Sequence, residues 1–343
     1  MLILRNWLKS PGFWLILVAL ICLTILPFIN SSRFILNIVS SIAIAAVFAV
    51  SYNLLCGFTG VFSLGHAVFF GSSAYILGII MYRLGTYIWL FLLAILLSMI
   101  MAVLLGLFVG YLALRLKAIY YAMITFAVAE LFVITADKWR EMTGGQDGLC
   151  FQVPSFLADK LVTYYTVILL FVATVFFMYR FLDSPTGKIL VAIRENETRA
   201  SALGFNVFRY KLLSNVVAGV LAAFAGIAYA LLNQFVMPNI LDVNQTIGAL
   251  LMTIVGGMGT LAGPIIGAVV ITLFGDWLAS LAKINPLFER WPIIFGLLYI
   301  VIILTMPGGI MSGYFKIKFW LSRSKTKKLN KLAKEAINEP EDA

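Results

Sequence analysis

The sequence is poor in the residue types that build most catalytic and metal sites. It has one histidine, His66, which excludes the H-E-x-x-H motif and any site with several histidine ligands. Its three cysteines, Cys22, Cys56 and Cys150, are odd in number, and the first two lie in apolar runs. Neither a disulfide framework nor a cysteine metal site is therefore predicted, and we expect no metal ligands.

Charged residues are also scarce. They make up 12% of the 343 residues, whereas hydrophobic residues make up 62%, and the mean hydropathy is +1.01. A soluble domain needs far more polar surface, so this composition predicts an integral membrane protein. The net charge of +10 comes from Lys and Arg residues that flank the apolar runs, as membrane topology requires, and does not indicate a nucleic-acid partner.

No arrangement of residues for catalysis or nucleotide binding accompanies this composition. Ser73 lies about 10.5 Å of helical rise from His66, too far for a Ser–His dyad, and nothing orients the imidazole towards the nearer Ser63. Thr186-Gly187-Lys188 is similar to the end of a phosphate-binding loop, but Leu182 occupies the position of the required earlier glycine. We therefore predict no catalytic residue, no cofactor bound by the chain itself and no enzyme activity.

Apolar runs recur along the whole chain and predict an all-α, polytopic membrane protein with nine or ten transmembrane or re-entrant helices. We assign one transmembrane domain to residues 1–314 and a basic, then acidic, tail to residues 315–343. Arg5 and Lys9 precede the first run, but no cleavage site follows it, so we expect an uncleaved first helix. The predicted spans are Phe13–Ile29, Phe34–Cys56, His66–Tyr82, Tyr87–Leu114, Ala118–Ala136, Leu161–Phe181, Leu212–Leu232, Thr246–Val255, Leu261–Leu281 and Trp291–Met306.

The positive charges predict how the chain is oriented in the membrane. If the chain crosses ten times and its N-terminus is cytoplasmic, 18 of the 25 Lys and Arg residues fall on the cytoplasmic side. This bias satisfies the positive-inside rule. It places both termini and the polar stretch Asp183–Lys211 in the cytoplasm.

The stretch Asp183–Lys211 carries eight charged residues between two apolar runs. Ser184 followed by Pro185 is typical of a helix start, Gly204 of a left-handed helix end, and Asn206 of the cap of the next helix. Apolar residues near helical spacing predict that the stretch is amphipathic: Ile189, Ile193, Ala200, Leu203 and Val207. It is either a solvated connector or, as we favour, a surface for a partner, because a short turn would join the two spans equally well.

Two glycine-rich stretches, Gly57–Gly71 and Gly256–Gly267, interrupt the helical pattern. Irregular backbone inside a membrane is tolerated only where protein buries it or water lines it, and paired interruptions in the two halves of a transporter indicate a translocation pathway. Tight helix packing is the alternative, because several small residues stand at suitable spacing. These are Gly106 with Gly110, Gly263 with Gly267, and the seam formed by Ala218, Ala222, Gly226 and Ala230.

Two carboxylates, Glu130 and Asp276, lie within apolar runs. Because burying a charge is costly, such residues normally face the interior of a bundle or water. They are either a proton site of a secondary transporter or carboxylates with a structural role, and the absence of a cationic partner inside a span favours the structural role. The full set of candidate pathway residues is Asn53, Gly57, Gly60, Ser63, His66, Glu130, Gly256, Gly257 and Gly259.

Five long motifs carry a resemblance to a known family. They are NLLCGFTGVFSLGHAVFFGSSAY (Asn53–Tyr75), LRLKAIYYAMITFAVAEL (Leu114–Leu131), TGGQDGL (Thr143–Leu149), AIRENETRASALGFNVFRYKLLSNVVAGVLAAFAGIAYA (Ala192–Ala230) and GGMGTLAGPIIGA (Gly256–Ala268). In this order they resemble the permease subunits of branched-chain amino acid ABC importers, the M-type subunit in particular. The resemblance extends from about Ser51 to Gly309.

The resemblance implies a permease that moves branched-chain or other hydrophobic amino acids across the bacterial inner membrane. It also implies the partners: a second, homologous permease subunit, two cytoplasmic ATPase subunits that carry the ATP and Mg²⁺, and an external substrate-binding protein. Two alternatives stay open. One is a permease for urea or short amides, and the other is a stand-alone secondary transporter that uses Glu130.

The resemblance further implies that segment 183–211 docks in a cleft of the ATPase. In such permeases the docking loop carries a Glu-Ala-Ala…Gly pattern, and Glu197, Ala200 and Gly204 match its E-x-x-A-x-x-x-G spacing. Thr198 and Arg199 stand where the family doublet has Glu and Ala. The expected ATPase-coupling residues are Glu195, Glu197, Arg199, Ala200 and Gly204.

Overall fold

The computed structural model describes residues 24–28, 32–116, 118–282, 296–297, 300, 304 and 308–311. Most of the predicted spans Phe13–Ile29 and Trp291–Met306 lies outside these residues, as does the tail from residue 315. Within the described ranges the chain is almost entirely helical, which confirms the predicted all-α class.

Twelve α-helices are labelled here in chain order. They are α1 (Arg33–Asn53), α2 (Ala67–Leu84), α3 (Ile88–Ala113), α4 (Ala118–Lys138), α5 (Arg140–Thr143), α6 (Ser155–Ala158), α7 (Lys160–Asp183), α8 (Pro185–Glu195), α9 (Glu197–Ala202), α10 (Val207–Asn233), α11 (Val243–Gly256) and α12 (Ala262–Ala282). A π-helix, Leu54–Thr59, continues α1, and two 3₁₀ turns occupy Gly145–Asp147 and Pro238–Leu241. Six helices, α1, α2, α3, α4, α7 and α10, are long and apolar enough to cross a membrane, so the chain is a multi-pass membrane protein.

Each span predicted between Phe34 and Leu281 corresponds to a helix in the structure. The largest difference in a boundary is at α10, which begins at Val207 rather than at the predicted Leu212. The reason is the cap: the side-chain oxygen of Asn206 accepts a hydrogen bond of 3.1 Å from the Arg209 N–H. A capped start allows the helix to include charged residues that hydropathy alone excludes from the span.

Helix α10 packs against α1, α2 and α3. A Cβ atom added at Gly219 would lie 2.8 Å from the ring of Phe69, and one added at Gly226 would lie 2.0 Å from the carbonyl oxygen of Phe70. The backbones of α2 and α10 therefore approach each other closely because these positions carry no side chain. The small-residue seam predicted along α10 is a helix-packing surface.

Helices α11 and α12 form an antiparallel hairpin. A Cβ at Gly256 would lie 1.8 Å from the carbonyl oxygen of Gly263, and a Cβ at Gly267 would lie 1.8 Å from that of Met252. The helices therefore run alongside each other from their connecting turn outwards. The Gly263/Gly267 pair predicted as a packing motif lies in this contact.

A short β-ladder ties together the two loops at one end of the bundle. Strands β1 (Leu149–Cys150) and β2 (Phe235–Val236) are antiparallel, with Leu149 opposite Val236. Arg83, at the end of α2, donates a hydrogen bond to the carbonyl oxygen of Glu141 at the same end. We call this the strand end of the bundle, and we call the end that carries residues 183–211 the segment end.

Candidate functional site

The stretch Asp183–Lys211 folds as two short helices, α8 and α9, followed by the start of α10. Ser184 Oγ accepts a hydrogen bond of 3.3 Å from the Gly187 N–H, and Pro185 occupies the first turn, as predicted. The structure divides the predicted amphipathic helix at Asn196, where φ is −160°. The Asn196 side chain then caps α9 by accepting a hydrogen bond from the Arg199 N–H at 2.9 Å.

The apolar side of the segment packs mainly on the bundle itself. Leu190 and Ile193 are fully buried. Leu190 belongs to a cluster with Leu54 and Leu55 of the π-helix, which fastens α8 to the end of α1. Leu203, predicted to lie on the same stripe, is 71% exposed. The polar face and Leu203 therefore form the free surface of the segment.

The predicted coupling residues lie mostly on that free surface. Four are exposed: Glu195, Glu197, Arg199 and Gly204. Ala200 is buried. Glu197 forms an ion pair with Lys211, a partner within the chain that the sequence pattern did not indicate. Gly204 has a φ of 89° and ends α9 in the left-handed conformation, as predicted.

The first glycine-rich stretch begins with a turn at the segment end of α1. The π-helix ends at Thr59, and the next residue, Gly60, reverses the chain with a φ of 75°. The chain then runs back along α1, because the Tyr52 hydroxyl donates to the Ser63 carbonyl at 3.1 Å and His66 Nε2 lies 2.9 Å from Ser51 Oγ. Helix α2 therefore begins well inside the bundle.

His66 anchors the stretch of chain that returns from Gly60 to α2. The residue is fully buried, and its ring stacks on Phe48 with centroids 5.5 Å apart. The Ser51 hydroxyl donates its hydrogen to the Phe48 carbonyl oxygen at 2.7 Å, so its oxygen accepts a hydrogen bond from the Nε2–H of His66. This pathway candidate therefore lies packed inside the bundle.

The second glycine-rich stretch forms the turn between α11 and α12, and it meets the first turn. Asn53 makes both connections: its side-chain nitrogen donates to the Thr260 carbonyl at 2.8 Å, and its oxygen accepts from the Gly259 N–H at 3.0 Å. A Cβ at Gly57 would lie 1.9 Å from the Asn53 side-chain oxygen and 2.7 Å from the Gly259 nitrogen. The two turns can therefore touch only because Gly57 has no side chain. We call the contact of these two turns the turn junction.

Arg194 of α8 reaches the turn junction from the segment. Its guanidinium donates a hydrogen bond to the Gly57 carbonyl oxygen. Sequence reasoning missed Arg194, because nothing in the pattern around it distinguishes an arginine that reaches its own bundle from one that faces a partner. The only local signal is its position next to Ile193, which is buried.

Ser63 lines a small enclosed cavity deeper in the bundle, together with Tyr121, Thr125 and Asn215. The Tyr121 hydroxyl donates to Asn215 Oδ1 at 3.0 Å, and the Asn215 nitrogen donates to the Gly106 carbonyl at 2.7 Å. The hydrogen bonds of Asn215 therefore tie α10 to α3 and α4.

The remaining candidate residues lie at the edge of the turn junction or away from it. Gly257, at the turn junction, lies beside Gly308, and Gly256 packs on α12. Glu130 is half-buried on α4, and Asp276 is exposed on α12. None of the residues described in the structure forms an ion pair with either carboxylate.

The turn junction consists mainly of hydrogen-bonded backbone. Two glycine-rich turns are held to each other by Asn53 and to the segment by Arg194. Across the described ranges, no group of three His, Cys, Asp or Glu side chains is placed to hold a metal ion.

Comparison with known proteins gives a consistent set of similarities. Residues 34–306 match the family described as the permease component of the branched-chain amino acid transport system. The chain is 25% identical over 326 residues to the high-affinity branched-chain amino acid transport system permease protein LivM of Escherichia coli (strain K12), covering 87% of this chain and 74% of that protein. It is 24% identical to the protein of the same name from Salmonella typhimurium, with the same coverage.

A third relative is also similar. The chain is 26% identical over 237 residues to the probable branched-chain amino acid transport permease protein LivM of Methanocaldococcus jannaschii, covering 63% of this chain and 68% of that protein. No solved structure matches the chain.

Proposed function

Because the chain belongs to the family of branched-chain amino acid transport system permease components, we propose that it is the transmembrane subunit of a bacterial ABC importer for branched-chain and other hydrophobic amino acids. The family match over residues 34–306 carries the proposal. The names of the Escherichia coli and Salmonella typhimurium relatives support amino acids rather than urea or short amides as the substrate.

The importer is assembled from several subunits. This chain pairs with a second, homologous permease, two ATPase subunits bind the cytoplasmic face, and an external binding protein delivers the substrate. ATP and Mg²⁺ bind the ATPase subunits, and this chain binds no cofactor and performs no hydrolysis itself. The complex lies in the inner membrane, and the excess of Lys and Arg at the segment end supports placing that end and both termini in the cytoplasm.

Segment 183–211 is the docking surface for one ATPase. Its exposed face carries Glu195, Glu197, Arg199 and Leu203, while Leu190 and Ile193 anchor the other face to the bundle. A surface attached in this way moves together with the helix ends beneath it. Closure of the ATPase around nucleotide is then a rigid-body movement that reaches the bundle through α8.

The candidate pathway residues fit this scheme where they meet at the turn junction. Asn53, Gly57, Gly60 and Gly259 lie at the segment end, so they form the cytoplasmic part of the pathway or its gate. A secondary transporter based on Glu130 has less support, because no hydrogen bond or ion pair joins Glu130 to these residues within the described part of the chain.

The proposal is tested by uptake into liposomes that contain the complete complex. ATP is supplied inside, and the binding protein and radiolabelled leucine are supplied outside, with no ion gradient across the membrane. We expect leucine uptake that requires ATP and both partner proteins. Uptake that runs on a proton gradient without any ATPase subunit would overturn the proposal.

A further inference from the structure

Arg194 occupies a cradle made of three glycines that come from two distant parts of the chain. It donates to the carbonyl oxygen of Gly57. A Cβ at Gly60 would lie 3.3 Å from Arg194 Cγ, and a Cβ at Gly259 would lie 2.5 Å from its Nη1. A side chain at Gly259 would displace the guanidinium, and one at Gly60 would press on the aliphatic part of the arginine.

The cradle lies where three parts of the structure meet. Gly57 and Gly60 belong to the turn between α1 and α2, Gly259 belongs to the turn between α11 and α12, and Arg194 belongs to α8. The same guanidinium therefore contacts both turns, and Asn53 ties those turns to each other beside it. Helix α1, through its π-helical continuation, and helix α11 end at this point, and helix α12 begins there.

Arginine suits this position for physical reasons. The planar guanidinium has five N–H donors in a fixed fork, so it can hold a carbonyl oxygen while lying flat against glycine backbone. The charge stays near the surface of the bundle, since Arg194 as a whole is exposed. A lysine keeps the charge but offers a point donor on a flexible stem.

We propose that Arg194 is a positioning residue that transmits the movement of α8 to the turn junction, and so couples ATPase closure to movement of α1, α11 and α12, which meet there. This inference rests on the proposed function, because it requires an ATPase that moves the segment. Docking itself is assigned to Glu195, Glu197, Arg199 and Leu203, whereas the Arg194 guanidinium is directed at the Gly57 carbonyl oxygen of the bundle. Loss of Arg194 should therefore uncouple the complex without dissociating it.

The first experiment measures assembly and coupling separately. Complexes with the wild-type chain, Arg194→Ala and Arg194→Lys are purified with the ATPase and reconstituted in liposomes. We expect both variants to retain the ATPase, Arg194→Ala to move about 5-fold less leucine per ATP hydrolysed or worse, and Arg194→Lys to fall between it and wild type. Arg180→Ala is the matched control, because Arg180 is an exposed arginine at the end of α7, and it should behave as wild type.

Two outcomes overturn the inference. Wild-type leucine transport per ATP in Arg194→Ala would show that the guanidinium transmits nothing, and loss of the ATPase from the purified variant would make Arg194 a docking residue. If even the wild-type chain fails to hold an ATPase, the proposed function itself is wrong and the inference goes with it.

Cys56 provides a readout that simple destabilisation would not reproduce. Its sulfur lies 3.6 Å from the Met258 sulfur, so this buried thiol sits between the two turns. In a chain with Cys22→Ala and Cys150→Ala, we expect nucleotide binding to change the rate at which maleimide labels Cys56. The change should disappear in Arg194→Ala, and an equal response to nucleotide in both chains would contradict the inference.

Discussion

The Gly259 N–H donates a 3.0 Å hydrogen bond to the side-chain oxygen of Asn53, which joins two glycine-rich turns from opposite halves of the chain. The nitrogen of the same Asn53 side chain donates to the Thr260 carbonyl at 2.8 Å. The side-chain amide of Asn53 thus provides hydrogen-bond partners for two backbone groups of the turn between α11 and α12. Backbone groups left unpaired inside a bundle are costly, so these two hydrogen bonds stabilise the contact between the turns.

Replacing Asn53 should weaken that contact. Asn53→Leu keeps the approximate volume but removes both hydrogen bonds, leaving the Gly259 N–H and the Thr260 carbonyl without this partner. We expect a loss of about 1–3 kcal/mol in stability, seen as a lower melting temperature in detergent, together with reduced transport. Asn233→Leu is the control, because Asn233 is exposed and bonds only within its own helix. Equal melting temperatures for the two variants would contradict the role given to Asn53.

Gly57 should tolerate no side chain. A Cβ there would lie 1.9 Å from the Asn53 oxygen, so Gly57→Ala must separate the turns at a cost of about 1–3 kcal/mol. We expect the variant to reach the membrane in smaller amounts and to transport poorly. Gly248→Ala on α11 is the matched control, because a Cβ at Gly248 meets nothing within 4 Å. If Gly57→Ala transports as well as Gly248→Ala, the turns do not need to touch.

The ion pair between Glu197 and Lys211 should fix the position of α9 against α10 and so maintain the shape of the docking surface. Glu197→Lys places two positive charges together and should reduce the amount of ATPase that co-purifies. The double variant Glu197→Lys/Lys211→Glu recreates the pair, and we expect it to regain most of the lost ATPase. Glu141→Lys is the control, because it makes the same change of charge at an exposed residue at the strand end, away from the docking surface, and it should retain the ATPase. A double variant as weak as Glu197→Lys would contradict the role given to this ion pair.

Gly204 should be intolerant of a β-branched residue for conformational reasons alone. Its φ of 89° is unfavourable for residues other than glycine, for which the left-handed conformation costs roughly 1–2 kcal/mol. Space is not limiting, since a Cβ at Gly204 meets nothing within 4 Å. Gly204→Val should therefore misdirect the chain between α9 and α10 and weaken ATPase binding. Gly204→Asn, which tolerates this conformation better, should lose less, and equal losses would contradict the conformational explanation.

The sequence predicts those features that local chemistry determines. The apolar runs predict the helices because hydropathy is a property of neighbouring residues, and Ser184, Gly204 and Asn206 predict helix ends because each acts within a few residues of its own position. The burial of Leu190 and Ile193 on the protein's own bundle was not evident, since an amphipathic stripe looks the same whether it packs on a partner or on itself.

The contact of the two turns could not be predicted for a different reason. Gly57 and Gly259 are far apart in the chain, and glycine carries no chemistry that identifies its neighbour. A glycine-rich stretch predicts that another segment of backbone packs closely against it, but it does not identify that segment. The inward direction of Arg194 depends on the same long-range packing.

The most direct test of the account is to find which surface of the chain touches the ATPase. Leu203→Cys and Phe156→Cys are introduced singly into a chain in which Cys22, Cys56 and Cys150 are alanine, and each is labelled with a maleimide photo-crosslinker. Leu203 is 71% exposed at the segment end and Phe156 is 69% exposed between β1 and α7, so they are matched in accessibility. We predict that light attaches the ATPase to Leu203→Cys and not to Phe156→Cys. Attachment to Phe156→Cys, or no attachment at Leu203→Cys in an intact complex, would contradict the assignment of segment 183–211 as the docking surface.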